Sequence, residues 1–320
     1  MHHSQQQTVL IGGGSGFVGR FLKTHLESHG FKVLVLSRSE ERGDVTWQQV
    51  KEHGLPECSA VINLAGKHIL DIRRPWNEAY KNEVLSSRIE TTQILVDAIN
   101  RSPIPPRVFI SASGKCFYGT SNSKTFVETA GPGEDFPGQL CHQWETAASC
   151  IDTSRVRHVH IRLGIVLGPM KDKLSNTGIV PLLRLPFLFG CGAKFGTGKQ
   201  FFPWVHIDDV CRLFHKAICD CDMRGVYNAV SPKIVSQKVF MQQFAKTLRR
   251  PILFRIPEFL IRLIVSKDRM PILTQGQHVV PDRTLKAGFE FKHAHLDFAL
   301  QNLLHYHNLT GEQQYDCYNQ

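Results

Sequence analysis

No apolar run in this chain approaches the length of a bilayer-spanning helix. The two longest, 180–190 and 251–265, are broken by Arg184 and by Arg255, Glu258 and Arg262. A soluble chain with no membrane partner is expected. A disulfide framework is missing too: the nine cysteines are an odd number scattered from Cys58 to Cys317, which points to a reducing compartment. Cys219-Asp220-Cys221 has no second pair at zinc-ligand spacing, so no metal is expected. Blocks of like charge are absent. The net charge of +10 fits a protein that handles anions, but Lys and Arg are interspersed with Asp and Glu, and nothing calls for a nucleic-acid partner. Only seven residues precede the first apolar run, which leaves no room for a leader peptide and gives a cytoplasmic expectation. No internal repeat is visible.

What is present begins at once. Thr8-Val9-Leu10-Ile11 runs into Gly12-Gly13-Gly14-Ser15-Gly16-Phe17-Val18-Gly19, and Phe21, Leu22 and Leu26 then keep helical spacing up to a second apolar run, Val33-Leu34-Val35-Leu36. Strand, glycine turn, helix and strand make a βαβ unit. Its glycines allow the tight reversal, the approach of a pyrophosphate to amides at the helix N-terminus, and close helix packing, tasks for Gly13, Gly16 and Gly19. The competing reading is a glycine turn with no ligand. At the end of the second strand an NAD protein usually places Asp or Glu; here stand Ser37 and Arg38, a hydroxyl and a guanidinium suited to the 2′-phosphate of NADP. A solvated Arg38 beside Glu40 and Glu41 is the bland alternative.

Further strand-like runs at 45–47, 60–64, 107–111 and 159–163 alternate with helical segments. The long helix starting near Trp76 ends before Pro103, Pro105 and Pro106. The fold class is therefore α/β, a Rossmann-type doubly wound parallel sheet. After Gly164 the rhythm changes, and 181–198 is rich in Pro, Gly and Leu. Residues 1–165 are read as the NADP-binding core. Residues 166–320 are read as mostly a smaller C-terminal substrate lobe, with some elements returning to the core. The segment 202–207, a helix beginning at Asp208 and a strand at 226–229 are counted among the lobe's pieces.

The glycine turn, Ser37-Arg38, Asn63-Leu64-Ala65-Gly66 and Ser111-Ala112-Ser113 are followed by Phe201-Phe202-Pro203-Trp204 and His206-Ile207-Asp208-Asp209. With these motifs in that order, the chain resembles the extended short-chain dehydrogenases/reductases, in their epimerase-like atypical branch, over nearly its whole length. The resemblance implies NADP as cofactor, a small-molecule substrate and a homodimer through the helix bearing Val84 to Ile99. It places the pyrophosphate on Gly13, Gly14, Ser15, Gly16, Phe17 and Val18, the 2′-phosphate on Ser37 and Arg38, and the adenosine side near Leu64 and Ala65. Glu83, Arg88 and Val166 complete the pocket. Arg88 stands where such proteins carry an asparagine; the alternative is a surface pair with Glu83 or Glu90.

The resemblance also implies a proton relay of tyrosine, a lysine four residues on, and a serine, for which Ser113 matches. The Tyr-x-x-x-Lys position reads Cys141-His142-Gln143-Trp144-Glu145. A glutamate cannot lower a neighbour's pKa as an ammonium does. Three readings stay open: another acid acts, with Cys141, His142 or Tyr118 as candidates; the pocket binds NADPH as a sensor; or the substrate takes its proton from water. The two functions to separate are an NADP(H)-dependent oxidoreductase or epimerase acting on a small carbonyl or hydroxyl compound, and a non-catalytic NADPH-binding regulator. His206, Asp208 and Asp209 are read as capping the helix that follows them.

Overall fold

The computed structural model describes residues 6–69, 74–169, 178–189, 192–252, 254–256 and 275–305. Its central sheet is built from β1 (Thr8–Gly12), β2 (Lys32–Ser37), β3 (Val45–Thr46), β4 (Ala60–Asn63), β5 (Val108–Gly114), β6 (Arg157–Leu163) and β7 (Gly225–Ala229). The order across the sheet is β7-β6-β5-β4-β1-β2-β3, and each neighbouring pair is parallel. The winding reverses between β1 and β4. Open α/β sheets take ligands in the crevice at the carboxyl ends of their strands at such a switch.

The helices used below are α1 (Phe17–Ser28), α2 (Trp47–His53), α3 (Glu78–Arg101), α4 (Phe136–Ala148), α5 (Ile179–Leu188), α6 (Ile207–Cys219), α7 (Gln237–Thr247), α8 (Asp282–Lys286) and α9 (Leu296–His305). Alternating strand residues are shared between two cores. Val9, Ile11, Ile62 and Ile110 join Phe21, Leu22 and Leu26 of α1 and Val210 and Phe214 of α6. Leu10, Val61 and Phe109 join Val50 of α2 and Leu95 and Ile99 of α3. With helices on both faces, β1, β2 and β4 read as continuous apolar runs rather than as alternation.

Several sequence expectations shift. Trp47 opens α2 instead of ending a strand, because Thr46 and Gln49 form a reciprocal capping box. The fifth strand does not stop at Ser111: Ala112, Ser113 and Gly114 go on pairing with Ile161, Arg162 and Leu163, so Ser113 lies within β5 rather than beyond it. The helix expected from Asp208 starts at Ile207, with His206 as its N-cap accepting from the Asp208 amide. It packs on α1, and β7 forms the edge of the central sheet, so both join the core layers rather than the lobe.

A separate core gathers Val180 and Phe187 of α5, Phe240 and Phe244 of α7, Leu300 and Leu303 of α9, and Phe202 and Trp204. This is the smaller C-terminal cluster. Much of the run 251–265 lies outside the described residues, as do Cys191 and Cys317. No helix among the described residues is long and apolar enough to cross a membrane.

Candidate cofactor and substrate crevice

The glycine loop sits at the switch point. Gly13 has φ +77°, and a β-carbon there would lie 2.9 Å from the Ala65 nitrogen and the Leu64 carbonyl oxygen, so only glycine fits. Gly19 is equally confined, since a β-carbon on it would meet the Gly13 oxygen at 2.5 Å. Gly16 differs: its β-carbon would have one neighbour within 4 Å, the Gly13 oxygen at 3.2 Å, and otherwise faces open space. Gly16 is also the N-cap of α1 and supplies no capping side chain. The first-turn amides of α1, on Phe17, Val18 and Gly19, have no acceptor within the helix, an arrangement that can hold an anion. Phe17, Val18, Leu64 and Val166 pack as partly buried side chains on one cluster at this edge.

At the end of β2, the Ser37 hydroxyl is turned back on its own loop, donating to the Ser39 carbonyl and accepting from the Ser39 amide. Arg38 is exposed, and no carboxylate among the described residues pairs with it. Glu40 accepts from Gln49 instead.

On the other side of the crevice, Asn63 at the end of β4 donates to the Thr92 hydroxyl at 2.8 Å and accepts from the Ala65 amide at 3.1 Å. Thr92 also accepts from the Trp144 indole at 3.0 Å. This buried network ties β4 to α3 and α4 and sets the course of Leu64 and Ala65. Gly66 follows because Arg88 lies on it: a β-carbon would stand 2.9 Å from the Arg88 Cζ.

Arg88 pairs with neither Glu83 nor Glu90. It donates to the Val84 carbonyl at 3.0 Å, lies 5.2 Å over the Trp144 ring and has the Cys141 and Cys116 thiols for neighbours. It is a guanidinium with no carboxylate partner among the described residues. Glu83 is occupied elsewhere, held in a fork by Arg74 at 2.8 and 3.0 Å and also by Lys67. These hydrogen bonds, Arg74's first, hold its carboxyl down at about 2. Glu83 thus fastens Lys67 and Arg74 to α3.

The relay position is reorganised. Glu145 forms a two-bond fork with Arg162 of β6, Nε and Nη2 each 2.8 Å from a carboxylate oxygen, and both side chains are buried. The Arg162 guanidinium also lies 3.4 Å from the centre of the Phe117 ring. Cys141 is buried among Phe117, Tyr118, Phe126, Val230 and Val279, and burial pushes its thiol well above the ordinary range. The Tyr118 hydroxyl donates to Asn228 Oδ1 at 2.7 Å, and burial pushes it up to about 12. His142 is exposed, its ring edge-on to Phe117. The Ser113 hydroxyl is different from all of these: it is buried and has no hydrogen-bond partner among the described residues.

The structure brings the glycine loop, Leu64 and Val166 to one edge of the sheet and places Arg88 beside Cys141. It directs Tyr118 and Glu145 to other partners. Arg162 and Asn228 were missed by sequence reasoning. An arginine between Ile161 and Leu163 in the strand-like run 159–163 was the available signal for Arg162; Asn228 left none.

Comparison with known proteins adds a family match. The model of the NAD dependent epimerase/dehydratase family matches residues 9–229, and one described as a domain of unknown function (DUF1731) matches residues 256–303. The human epimerase family protein SDR39U1 is 36% identical over 92% of this chain and 99% of its own length. The Bacillus subtilis epimerase family protein YfhF is 32% identical over 92% and 97%. The crystal structure of human SDR39U1 (isoform 2) with NADPH superposes with a TM-score of 0.89 at 36% identity, covering 95% of this chain and 100% of that one.

Proposed function

The chain belongs to the NAD dependent epimerase/dehydratase family, and from that premise we propose that it is an NADP(H)-dependent, epimerase-like oxidoreductase acting on a small carbonyl or hydroxyl compound. Gly13 to Val18 take the pyrophosphate, Arg38 the 2′-phosphate, with Ser37 once its hydroxyl turns from the Ser39 carbonyl, Leu64 and Ala65 the adenosine side, and Val166 completes the pocket. Support for NADP comes from the exposed Arg38 without a carboxylate partner and from the relative crystallised with NADPH. The cofactor supplies or accepts the hydride; the chain binds and orients the substrate.

The observation that carries the catalytic reading is the Ser113 hydroxyl. A buried hydroxyl left without a partner is costly, on the order of 1–3 kcal/mol, and a substrate oxygen would satisfy it. Arg88, a cation without a counter-ion on the same side of the crevice, suits an electron-rich substrate group. Cys141, kept protonated beside Arg88, is the candidate donor, and Tyr118 braces the wall through Asn228. The free state of the seven described cysteines supports a reducing, cytoplasmic setting.

One observation favours the second reading, a non-catalytic NADPH-binding regulator: Glu145, at the relay lysine's position, is locked to Arg162. Steady-state NADPH absorbance with a panel of carbonyl compounds separates the two. The expected result is turnover that Ser113→Ala lowers roughly 10²-fold while NADPH affinity is kept. Bound NADPH with no turnover across the panel favours the regulator.

Cofactor choice is tested separately. The parent is expected to bind NADPH more tightly than NADH, and Arg38→Asp to reverse that order. A charge-assisted contact is worth roughly 1.5–3 kcal/mol, so the preference should change at least tenfold. Equal affinities in the parent would remove the NADP assignment.

A further inference from the structure

At the other end of the central sheet, the last turn of α1 meets α6. The chain leaves the glycine loop at Gly16, runs down α1 to its C-cap, His29, and re-enters the sheet at Lys32, so this corner lies away from the cofactor crevice. His25 and His29, four residues apart, stand on one face of α1. His215 of α6 comes up against both. The ring centres are 4.3 Å apart for His25 and His29, 5.4 Å for His25 and His215, and 4.6 Å for His29 and His215.

We propose that His25, His29 and His215 form a zinc-type divalent metal site that pins the C-terminal turn of α1 to α6.

Three observations carry it. One ligating atom from each residue can be chosen so that all three lie within 4.8 Å of one another. Zinc bonds imidazole nitrogen at about 2.0–2.1 Å, which puts tetrahedral ligands about 3.4 Å apart. Small side-chain rotations would therefore close the three rings on one ion. Second, His25 is 8% exposed and its Nε2 is buried with no hydrogen-bond partner among the described residues; a metal would satisfy that nitrogen. Third, His29 Nδ1 lies 2.7 Å from the His25 carbonyl oxygen, which can only accept, so Nδ1 carries the proton and Nε2 keeps its lone pair. Metal-binding imidazoles are oriented by such second bonds.

The surroundings suit a cation. The two basic side chains at the rim have acceptors of their own: Arg212 donates to Asp209 and to the Glu290 carbonyl, and Lys216 to Asp220. The rings line a cavity of about 360 Å³ together with Cys219, Phe289 and Glu290, which leaves a fourth position for water. Linear spacing hid the site because His215 comes from a distant helix.

The test uses the full chain, stripped with a chelator and titrated with cobalt(II) and then zinc(II). One equivalent should bind, with the intense visible bands of tetrahedral cobalt, and zinc should raise the unfolding temperature. His29→Gln and His215→Gln should each weaken binding at least roughly tenfold and abolish the thermal shift. Both variants should match the parent's circular dichroism in chelator, since neither side chain is fully buried. Cys219→Ser with Cys221→Ser should bind as the parent does. The proposal is overturned if the parent binds no zinc at micromolar concentration, if both histidine variants bind it as the parent does, or if the thiol variant alone loses it.

Discussion

Gly16→Val abolishes binding of NADPH and NADH while the far-ultraviolet circular dichroism spectrum stays that of the parent. Gly16 has φ −76° and ψ 179°, extended backbone that any residue adopts. The space its β-carbon would enter is open apart from the Gly13 oxygen. Valine is a poor N-cap, which costs on the order of 1 kcal/mol at most relative to glycine. Its two methyl groups would stand where a pyrophosphate approaches the first-turn amides. Affinity should fall at least a hundredfold, about 2.7 kcal/mol. Gly19→Val is the contrasting variant: its β-carbon would collide with the backbone of Gly13 and Gly14, so it should lose folded protein as well as cofactor. NADPH affinity retained in Gly16→Val would mean that the turn is structural and that the cofactor sits elsewhere.

Glu145→Lys is expected to be strongly destabilising. Lysine is the residue that the Tyr-x-x-x-Lys pattern asks for at this position, which makes the substitution look restorative. In the fold it would set an ammonium against the buried Arg162 guanidinium and leave both without a counter-charge. Breaking a buried pair by removing one partner costs about 3–5 kcal/mol. Urea denaturation should show a loss of that size, and the double variant with Arg162→Glu should recover at least half of it. A Glu145→Lys protein as stable as the parent would mean the pair does not hold α4 on β6. Grafting the relay by Cys141→Tyr with Glu145→Lys therefore fails unless Arg162 is also replaced by an apolar side chain.

This pair shows where reading the sequence stops. That the relay is missing follows from the letters at 141–145 alone. What Glu145 does instead depends on Arg162, which neighbours it only because β6 pairs with the extended end of β5. Tyr118 is a similar case. It follows the Ser111–Ser113 segment closely, so it stands among the candidate acids, yet its hydroxyl is taken by Asn228 on the edge strand. Glu83 and Arg88 share a helix and suggest a surface pair. Arg74 and Lys67, from ahead of α3, take Glu83 and leave Arg88 facing Gly66 and Trp144.

By itself the sequence determined the βαβ unit, the need for glycine at Gly13 and Gly19, the Ser37-Arg38 terminus of β2 and the alternation that makes a doubly wound sheet. These are local matters: whether a chain can turn, cap or bury a strand on both faces is set by residues a few positions apart. Only the tertiary structure decided that β5 continues through Ser113 and leaves its hydroxyl unpartnered, that α6 and β7 complete the core, and that three imidazoles meet at the far end of α1. Each of these depends on a partner many residues away. A charge, a hydroxyl or an imidazole has no role until burial removes water and dictates which groups remain to answer it.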